Sequence, residues 1–435
     1  MMNDSIPLCE SMRKMLACVL PVFTVPSGAR FLAVAAGWLL GTGRRTVSGM
    51  LRAGVLTAAG HFSSYYRFFS EAAWSEHTLC RLWATAMVRR FYPRGDILLC
   101  GDDTLLKHRG AKVYGAGIFR DAVLSGNGMT VFHWGHNWMV LALMVQFRRW
   151  PHRWLALPIN FRLRAKGQGA TAVELMREMF HEAQQWFAGR TLVFCVDGTY
   201  SNLCGHLPAG AVLIGRLRGD AALFEPVPCR RPGQRGRPRV RGPRRAAPQQ
   251  VAADPSTPWV TRRVWMYRQR RTVQVHSFVA IWSHVSKGPV RVVLSRDPTA
   301  PDAVEYFFCT DLRRSLAWVI QTYAGRWSIE RTFEDTKQCL GIEHPQVRTE
   351  RSVRRIVPVG MILYGAVICW YVQHAARSAP LAPPWYRGKT RASFKDMLAA
   401  AASRCRRQYF FSWSAHRPDI TQIIQTILRT LERAA

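Results

Sequence analysis

Four residues in the last third of the sequence combine a phenol, two cations and an acid at a spacing that suits one helix face. Tyr323, Arg326, Glu330 and Lys337 stand at offsets of 0, 3, 7 and 14. At about 100° per residue, these offsets fall within about 60° of arc. Arg326 and Glu330 alone would be an ordinary i,i+4 ion pair, which does not account for Tyr323 and Lys337. The spacing therefore predicts a functional face.

Further acids stand where short buried strands are predicted to end. Asp102 and Asp103 close one apolar segment, and Asp197 closes another. Sites in α/β sheets usually lie at the carboxyl ends of adjacent strands. Strand alternation points Asp102 and Asp103 to opposite faces, so they compete for one position. Glu334 lies about 40° around the helix from Glu330 and competes with it in the same way.

The stretch from Tyr323 to Lys337 resembles the Tyr-x2-Arg-x3-Glu-x6-Lys signature of a large group of bacterial insertion-sequence transposases, the DDE superfamily endonucleases. In that group the first acid sits in an Asp-Thr step, which matches Asp103-Thr104. The second acid ends a buried strand, which matches Asp197 in Val-Asp-Gly. The resemblance extends from about residue 97 to residue 375. It favours Asp103 over Asp102, and Glu330 over Glu334.

This resemblance implies an α/β fold with a ribonuclease H-like catalytic core and a β-rich insertion. It assigns Asp103, Asp197 and Glu330 as catalytic and metal-binding acids. Arg326 and Lys337 would then grip phosphates at the DNA end, and Tyr323 would position the backbone or the displaced strand.

The three acids suit phosphodiester chemistry with divalent cations. Two such ions about 3.5–4 Å apart activate the attacking oxygen and stabilise the leaving oxygen. Mg²⁺ prefers carboxylate oxygens and retained waters. We therefore expect two Mg²⁺ ions per site, with Mn²⁺ as a substitute, bridged by Asp103 and flanked by Asp197 and Glu330.

The charge balance points to a polyanionic partner. Lys and Arg total 61 against 27 Asp and Glu, which gives a formal net charge of +34. Self-repulsion of this size favours a nucleic-acid partner. The eleven cysteines contain no Cys-x-x-Cys pair, which is typical of reduced thiols in a cytosolic protein.

The elements that must position these residues divide the chain into five parts. We predict a helical DNA-binding region over 1–92 and the first part of the core over 93–204. A β-rich insertion over 205–290 and the second part of the core over 291–378 follow. A basic tail covers 379–435, with a helix predicted near 420–433.

Two basic features stand outside the predicted core. The segment 42–54 resembles the start of a helix-turn-helix, which would lay Arg44, Arg45 and Arg52 along DNA. The insertion carries an Arg/Pro-rich loop over 226–250, whose composition does not suit a packed core. Trp265 and Trp282 are candidates for base stacking there.

These features predict a transposase that cuts DNA at terminal inverted repeats and joins it to target DNA. It would act as a homodimer on DNA in the bacterial cytoplasm, at the nucleoid. The apolar run 356–372 contains Pro358, Gly360 and Gly365, so we expect a core helix and no membrane span. A domesticated nuclease and a catalytically inert DNA-binding protein remain alternatives.

Overall fold

The apolar segments in the middle of the chain form one large mixed sheet. The computed structural model describes residues 8–54, 61–126, 128–167, 169–227, 240–376, 388–414, 425 and 427. The strands are β1 (Ile97–Lys107), β2 (Gly117–Arg120), β3 (Phe132–Phe147), β4 (Trp150–Arg164), β5 (Leu192–Val196), β6 (Val212–Arg216), β7 (Leu223–Phe224), β8 (Val260–Met266), β9 (Gln269–Trp282), β10 (Pro289–Asp297) and β11 (Ala300–Cys309). Their order is β2-β3-β1-β5-β6-β11-β10-β9-β7, with β4 paired to β3 and β8 paired to β9.

Strand β1 lies at the junction between the antiparallel and parallel parts of this sheet. It pairs antiparallel with β3 and parallel with β5, and β5 pairs parallel with β6. The register sets Gly101 opposite Val196. The next residues along the two strands are Asp102 and Asp197, so the ladder brings these two acids side by side.

Helices cover both faces of the sheet. They are α1 (Glu10–Leu16), α2 (Val25–Leu40), α3 (Val47–Gly54), α4 (Ser63–Ser70), α5 (Glu76–Phe91), α6 (Ala172–Trp186), α7 (Pro248–Ala253), α8 (Leu316–Arg326), α9 (Ser328–Gln338), α10 (Glu350–His374) and α11 (Phe394–Ser414), with 3-10 helices at Ala17–Val22 and Ser201–His206. A Cβ on Gly101 would lie 2.8 Å from the sulfur of Met176 in α6. The thiol of Cys195, on the other face, donates to the carbonyl of Thr322 in α8 at 3.8 Å. The α6 face and the α8 face are therefore distinct environments for the acids of β1.

The amino-terminal helices pack directly on this core. The indole nitrogen of Trp38 donates to the carbonyl of Leu340 at 2.8 Å, and that of Trp83 donates to the carbonyl of Pro158 at 3.0 Å. Helices α2 and α3 form a tight pair, because a Cβ on Gly37 would lie 2.1 Å from the carbonyl oxygen of Met50. The predicted boundary at 92 falls between α5 and β1.

The strands of the predicted insertion continue the same sheet as the core. β6 lies within 205–290 and pairs with β5, and β9 pairs with β10, which was assigned to the second part of the core. Of the Arg/Pro-rich loop, residues 228–239 lie outside the described residues. In the tail, α11 is a helix over Phe394–Ser414, and most of the helix predicted near 420–433 also lies outside.

Helix α10 is the one helix within the described ranges that is long and apolar enough to cross a membrane. Of its apolar window, 89% is buried inside the fold. Glycines let large side chains approach it closely: a Cβ on Gly360 would lie 2.7 Å from the ring of Trp38, and one on Gly365 would lie 2.8 Å from Trp83. These contacts are those of a core helix.

Candidate active site

The two neighbouring acids Asp102 and Asp103 lie within β1. The sequence predicted that the strand ends at these acids, but β1 continues to Lys107 because its later residues keep pairing with β3. Asp197 directly follows Val196, the last residue of β5. The parallel pairing of β1 and β5 thus gathers three carboxylates at one place in the sheet.

Both carboxylate oxygens of Asp103 accept hydrogen bonds from buried side chains. The hydroxyl of Tyr200 donates to Oδ1 at 2.7 Å, and the amide of Asn137 donates to Oδ2 at 3.1 Å. Tyr200 is fully buried and Asn137 is 8% exposed. Their two bonds fix the orientation of the Asp103 carboxylate.

Asp102 belongs to a different group of contacts, on the α8 face of the sheet. Nη1 of Arg326 lies 2.8 Å from Oδ2 of Asp102, and Nη2 of Arg326 lies 2.8 Å from Oε1 of Glu330. Arg326 is itself buried, with 8% of its surface exposed. The guanidinium of Arg326 therefore joins Asp102 of β1 to Glu330 of α9.

Burial dominates the electrostatics of Asp102. It raises the pKa of this carboxyl to about 7 despite the opposing charge of Arg326, and the charges of Asp197 and Asp103 raise it further. On the arginine side, the carboxylates of Asp102 and Glu330 outweigh burial and raise the pKa of Arg326, which keeps its guanidinium charged. Two of the acids, Asp102 and Glu330, are thus held around one buried cation.

Asp197 is held by the turn that follows it. The backbone N–H of Thr199 donates to Oδ1 at 3.0 Å, and the Thr199 hydroxyl donates to Oδ2 at 3.1 Å. Tyr200 is the next residue, so the same turn that orients Asp197 delivers the hydroxyl that holds Asp103. Asp197 is therefore connected to Asp103 by a short turn, residues 198–200, and by the hydrogen bond from the Tyr200 hydroxyl.

The signature stretch forms two helices where the spacing predicted one. α8 ends at Arg326 and α9 begins at Ser328, with Trp327 at the junction. Tyr323 is 7% exposed, and its ring packs on Phe307 with a centroid distance of 4.6 Å. It lies beneath the Arg326 guanidinium, which is 5.6 Å from the centre of its ring. Tyr323 therefore supports Arg326 from inside the fold.

Lys337 of the signature and the rival acid Glu334 have different surroundings on α9. Lys337 is partly buried, and burial lowers its pKa, an effect that the carboxylates of Glu343, Asp121 and Asp103 oppose. Glu334 forms an ion pair with Arg331 in which both side chains are more than two-fifths exposed. Glu330 alone of the two rival acids contacts the buried Arg326.

The amino-acid sequence matches the family of DDE superfamily endonucleases over residues 18–277. The chain belongs to this family. The matched range covers more than half of the chain and includes Asp102, Asp103 and Asp197, and it ends before Glu330. No curated protein sequence matches the chain.

DDE-type endonucleases generally use divalent metal ions such as Mg²⁺, and the donor chemistry of this DDE endonuclease fits such an ion. Its carboxylates offer only hard oxygen ligands. Among the described residues, no group of three or more His, Cys, Asp or Glu side chains stands at metal-binding spacing. One oxygen of Asp102 and one oxygen of Glu330 instead contact Arg326, whose single positive charge offsets part of their negative charge.

The predicted DNA-contacting arginines of the amino-terminal region of the DDE endonuclease have different environments. Arg44 and Arg52 are exposed, at the turn before α3 and on α3. Arg45 is partly buried, and its guanidinium donates to the carbonyls of Trp38 at 3.1 Å and Gly41 at 2.8 Å. Arg45 therefore caps the end of α2, while the other two side chains face solvent.

A basic cavity that the sequence did not predict lies beside Trp327 of the DDE endonuclease. Its volume is about 190 Å³, and its lining includes four arginines, Arg153, Arg268, Arg331 and Arg391. Burial and the neighbouring guanidinium groups lower the pKa of Arg268. The four residues come from distant segments, so no local pattern could have revealed the cluster.

The two tryptophans proposed for base stacking also differ. Trp282 is 8% exposed and packs on Phe308, with ring centroids 5.2 Å apart. Trp265 is 38% exposed and stacks on His152 at 3.7 Å. Trp282 is a core residue, and Trp265 keeps one accessible side.

Two residues that hold Asp103 of the DDE endonuclease, Tyr200 and Asn137, were not predicted from the sequence. Tyr200 follows Asp197 by three residues, and Asn137 lies in the Gly-His-Asn segment of β3. A polar residue within a near-continuous apolar strand was the available signal for Asn137.

Proposed function

We propose that the chain is a cut-and-paste transposase, which cleaves DNA at the ends of an element and joins those ends to target DNA. The observation that carries the proposal is the Asp102–Arg326–Glu330 ion-pair chain, which draws the acid of α9 to the acids at the β1–β5 junction. The resemblance of Tyr323–Lys337 to the transposase signature implies Glu330 as the third acid, and the family match ends before this residue.

The strand order supports a ribonuclease H-like core. β4, β3 and β1 are consecutive antiparallel neighbours, and β5 and β6 continue from β1 in parallel. Together with the spacing from Tyr323 to Lys337, this order supports membership in the Tyr-Arg-Glu-Lys signature group of bacterial insertion-sequence transposases.

We propose that Asp197, Glu330 and one acid of β1 hold two Mg²⁺ ions, which Mn²⁺ can replace. Such ions activate the attacking oxygen and stabilise the leaving oxygen. The Asp-Thr motif supports Asp103 as the acid of β1. Two observations instead support Asp102 as the acid of β1. It lies on the same face of the sheet as Glu330, and the pairing of Gly101 with Val196 sets it beside Asp197.

The residues around the acids have roles of their own in this proposal. Tyr200 and Asn137 keep Asp103 in one orientation. Arg326 offsets part of the negative charge of Asp102 and Glu330. If those carboxylates held metal ions, the guanidinium would be free to contact a DNA phosphate. Lys337 and the basic cavity beside Trp327 offer further positive charge to the DNA backbone.

The remaining parts of the proposal concern the assembly. The net charge of +34 supports double-stranded DNA as the partner, both terminal inverted repeats and target. Cutting and joining two ends needs two active sites, which supports a homodimer on DNA. The described cysteines are free thiols, which supports a cytoplasmic, nucleoid-associated protein.

Incubation of the purified protein with DNA carrying the inverted repeats that flank its gene, with and without Mg²⁺, tests the proposal. Cleavage at the ends followed by joining to a target plasmid is the expected result. Cleavage without joining would identify a nuclease, and binding alone would identify an inert DNA-binding protein. Either result would overturn the transposase.

Single variants test the assignment of the acids. Asp197→Asn and Glu330→Gln should abolish cleavage while end binding persists, and Glu334→Gln is the matched control that should cut normally. Loss of cutting in Asp102→Asn with cutting retained in Asp103→Asn would identify Asp102 as the first acid, and the reverse result would identify Asp103. Normal cutting by Glu330→Gln would contradict the proposed site.

A further inference from the structure

The loop between β2 and β3, together with one residue of each strand at its base, displays large apolar side chains to solvent. Ile118 is 58% exposed, Val123 88%, Leu124 51%, Met129 64% and Phe132 59%. Scattered apolar residues on a surface are ordinary, but a contiguous group of this kind marks a contact site. We define the apolar loop as residues 118–132, leaving aside Asn127.

Polar contacts at its base hold the apolar loop in one conformation. Asp121 is 4% exposed and accepts the backbone N–H groups of Val123 at 3.1 Å and Leu124 at 3.2 Å. The Ser125 hydroxyl accepts the N–H of Val131 at 2.9 Å, and the backbones of Gly126 and Met129 bond to each other in both directions. The tip residues are therefore presented by a braced turn and have not collapsed onto the protein.

The base of the apolar loop is attached close to the candidate active site. Asp121 forms an ion pair of 3.0 Å with Lys107, the last residue of β1. Lys107 follows Asp103 by four residues, which is about 13 Å along a strand. The negative charge of Asp121 also raises the pKa of Lys337, the last residue of the signature, against the effect of burial. The base of the apolar loop therefore lies within a few base pairs' length of the acids, close enough for DNA held there to reach it.

The surroundings of the apolar loop favour DNA over a second copy of the chain as its occupant. Exposed cations lie on the segments that lead into it: Arg109 and Lys112 between β1 and β2, and Arg120 at the end of β2. Arg348 is also exposed, and its carbonyl accepts the backbone N–H of Tyr114 in the same connection. A second molecule with a net charge of +34 would be repelled by these cations. DNA satisfies both the cations and the apolar tip, because minor-groove proteins insert apolar side chains between base steps beside phosphate-binding cations.

We propose that the apolar loop is a wedge that opens a base step of the bound duplex beside the position of cutting. Val123, Leu124 and Met129 at the tip would displace stacked bases, and these exposed cations would hold the flanking phosphates. This inference rests on the proposed DNA-cutting function. Insertion of this kind bends the duplex by about 20–90°.

The test uses the full chain and a duplex carrying the inverted repeats that flank its gene, with 2-aminopurine at successive steps and Ca²⁺ in place of Mg²⁺ to limit cutting. The wild type should raise 2-aminopurine fluorescence several-fold at one step and bend the duplex in a circular-permutation gel assay. The triple variant Val123→Ser, Leu124→Ser, Met129→Ser should lose both signals and keep the salt dependence of binding. Val25→Ser removes an apolar side chain that is 89% exposed at the start of α2, and it should behave as the wild type.

A second measurement separates a wedge from other roles of the same residues. In Mg²⁺, the triple variant should cut an intact duplex at least tenfold more slowly, and a two-base mismatch at the opened step should restore its cutting to near the wild-type rate. Unchanged bending by the triple variant would overturn the wedge. If the same variant also converted a dimer to a monomer in sedimentation, the loop would be a protein interface.

Failure of the wedge and failure of the proposed function give different results. A wild type that cuts the duplex but shows no fluorescence change overturns the wedge alone. A wild type that does not bind the duplex overturns both.

Discussion

The substitution Asp102→Asn measures the free energy of ionising one acid inside the site. Burial raises the pKa of Asp102 from an ordinary value of 3.8 to about 7 in the folded protein. Between these two values, the folded protein retains a proton that the unfolded chain has released. The free energy of unfolding therefore falls as the pH rises through this window.

The size of the effect follows from the two pKa values. From pH 5 to pH 8, the wild type should lose about 2.5 kcal/mol of unfolding free energy relative to Asp102→Asn, because asparagine has no proton to release. Any constant offset, such as the altered hydrogen bond to Arg326, leaves this pH dependence unchanged. The quantity to measure is the difference between the two proteins at each pH.

Urea unfolding at pH 5, 6, 7 and 8 in the presence of EDTA measures this difference. Asp121→Asn is the matched control. Although burial opposes it, Lys107 and the backbone N–H groups of Leu124 and Val123 lower the pKa of Asp121, so that its charge does not change in this pH range. A wild-type minus Asp102→Asn difference that stays constant within about 0.5 kcal/mol would refute the reasoning about burial.

Three other substitutions test separate parts of the structure. Tyr200→Phe leaves one oxygen of Asp103 without its buried donor, which should slow single-turnover cleavage about 10- to 100-fold with little change in DNA affinity, and an unchanged rate would show that the bond has no role. Gly37→Ala sets a Cβ about 2.1 Å from the carbonyl oxygen of Met50 and should lower the free energy of unfolding by about 1–3 kcal/mol or more, which thermal melting would detect and an unaltered melting curve would contradict. Arg44→Ala should reduce the slope of log affinity against log salt by about 0.9 if this exposed side chain contacts a phosphate, and a slope equal to that of the wild type would exclude the contact.

Local periodicity predicted those elements whose pattern is set by nearby residues. Helical spacing of apolar residues over 171–187 predicts a helix, and the structure has α6 (Ala172–Trp186) there, with a capping box formed by Thr171 and Glu174. The near-continuous apolar runs over 138–147 and 154–161 predict strands, and they lie within β3 and β4. In each case the residues that favour the element also bury it, so the pattern and the packing agree.

The predicted insertion shows where local patterns stop being informative. Alternation along a strand indicates that the strand has one buried face, but it does not indicate which strand lies beside it. β6 and β9 join the core sheet through pairings between segments far apart in the sequence. The division of 93–378 into core and insertion therefore stays a prediction.

The candidate site was predictable in its acids and less so in its contacts. Helical spacing identified Arg326 and Glu330, but it did not reveal the helix break at Trp327 or the ion pair with Asp102 across the sheet. Both depend on how α8 packs on β5, which is a tertiary contact. For the same reason, the Asp-Thr motif was the only criterion by which the sequence could choose between Asp102 and Asp103.

The guanidinium between Asp102 and Glu330 also bears on how the protein matures. Many small metalloproteins stay unfolded until metal arrives, because metal binding supplies the free energy of folding. Here a cation supplied by the chain itself lies between two of the acids and reduces their mutual repulsion, so this centre can fold without a metal ion. In the proposed mechanism, metal ions would then bind to a protein that is already folded, and a folded, metal-free pool of the protein would exist before the encounter with DNA.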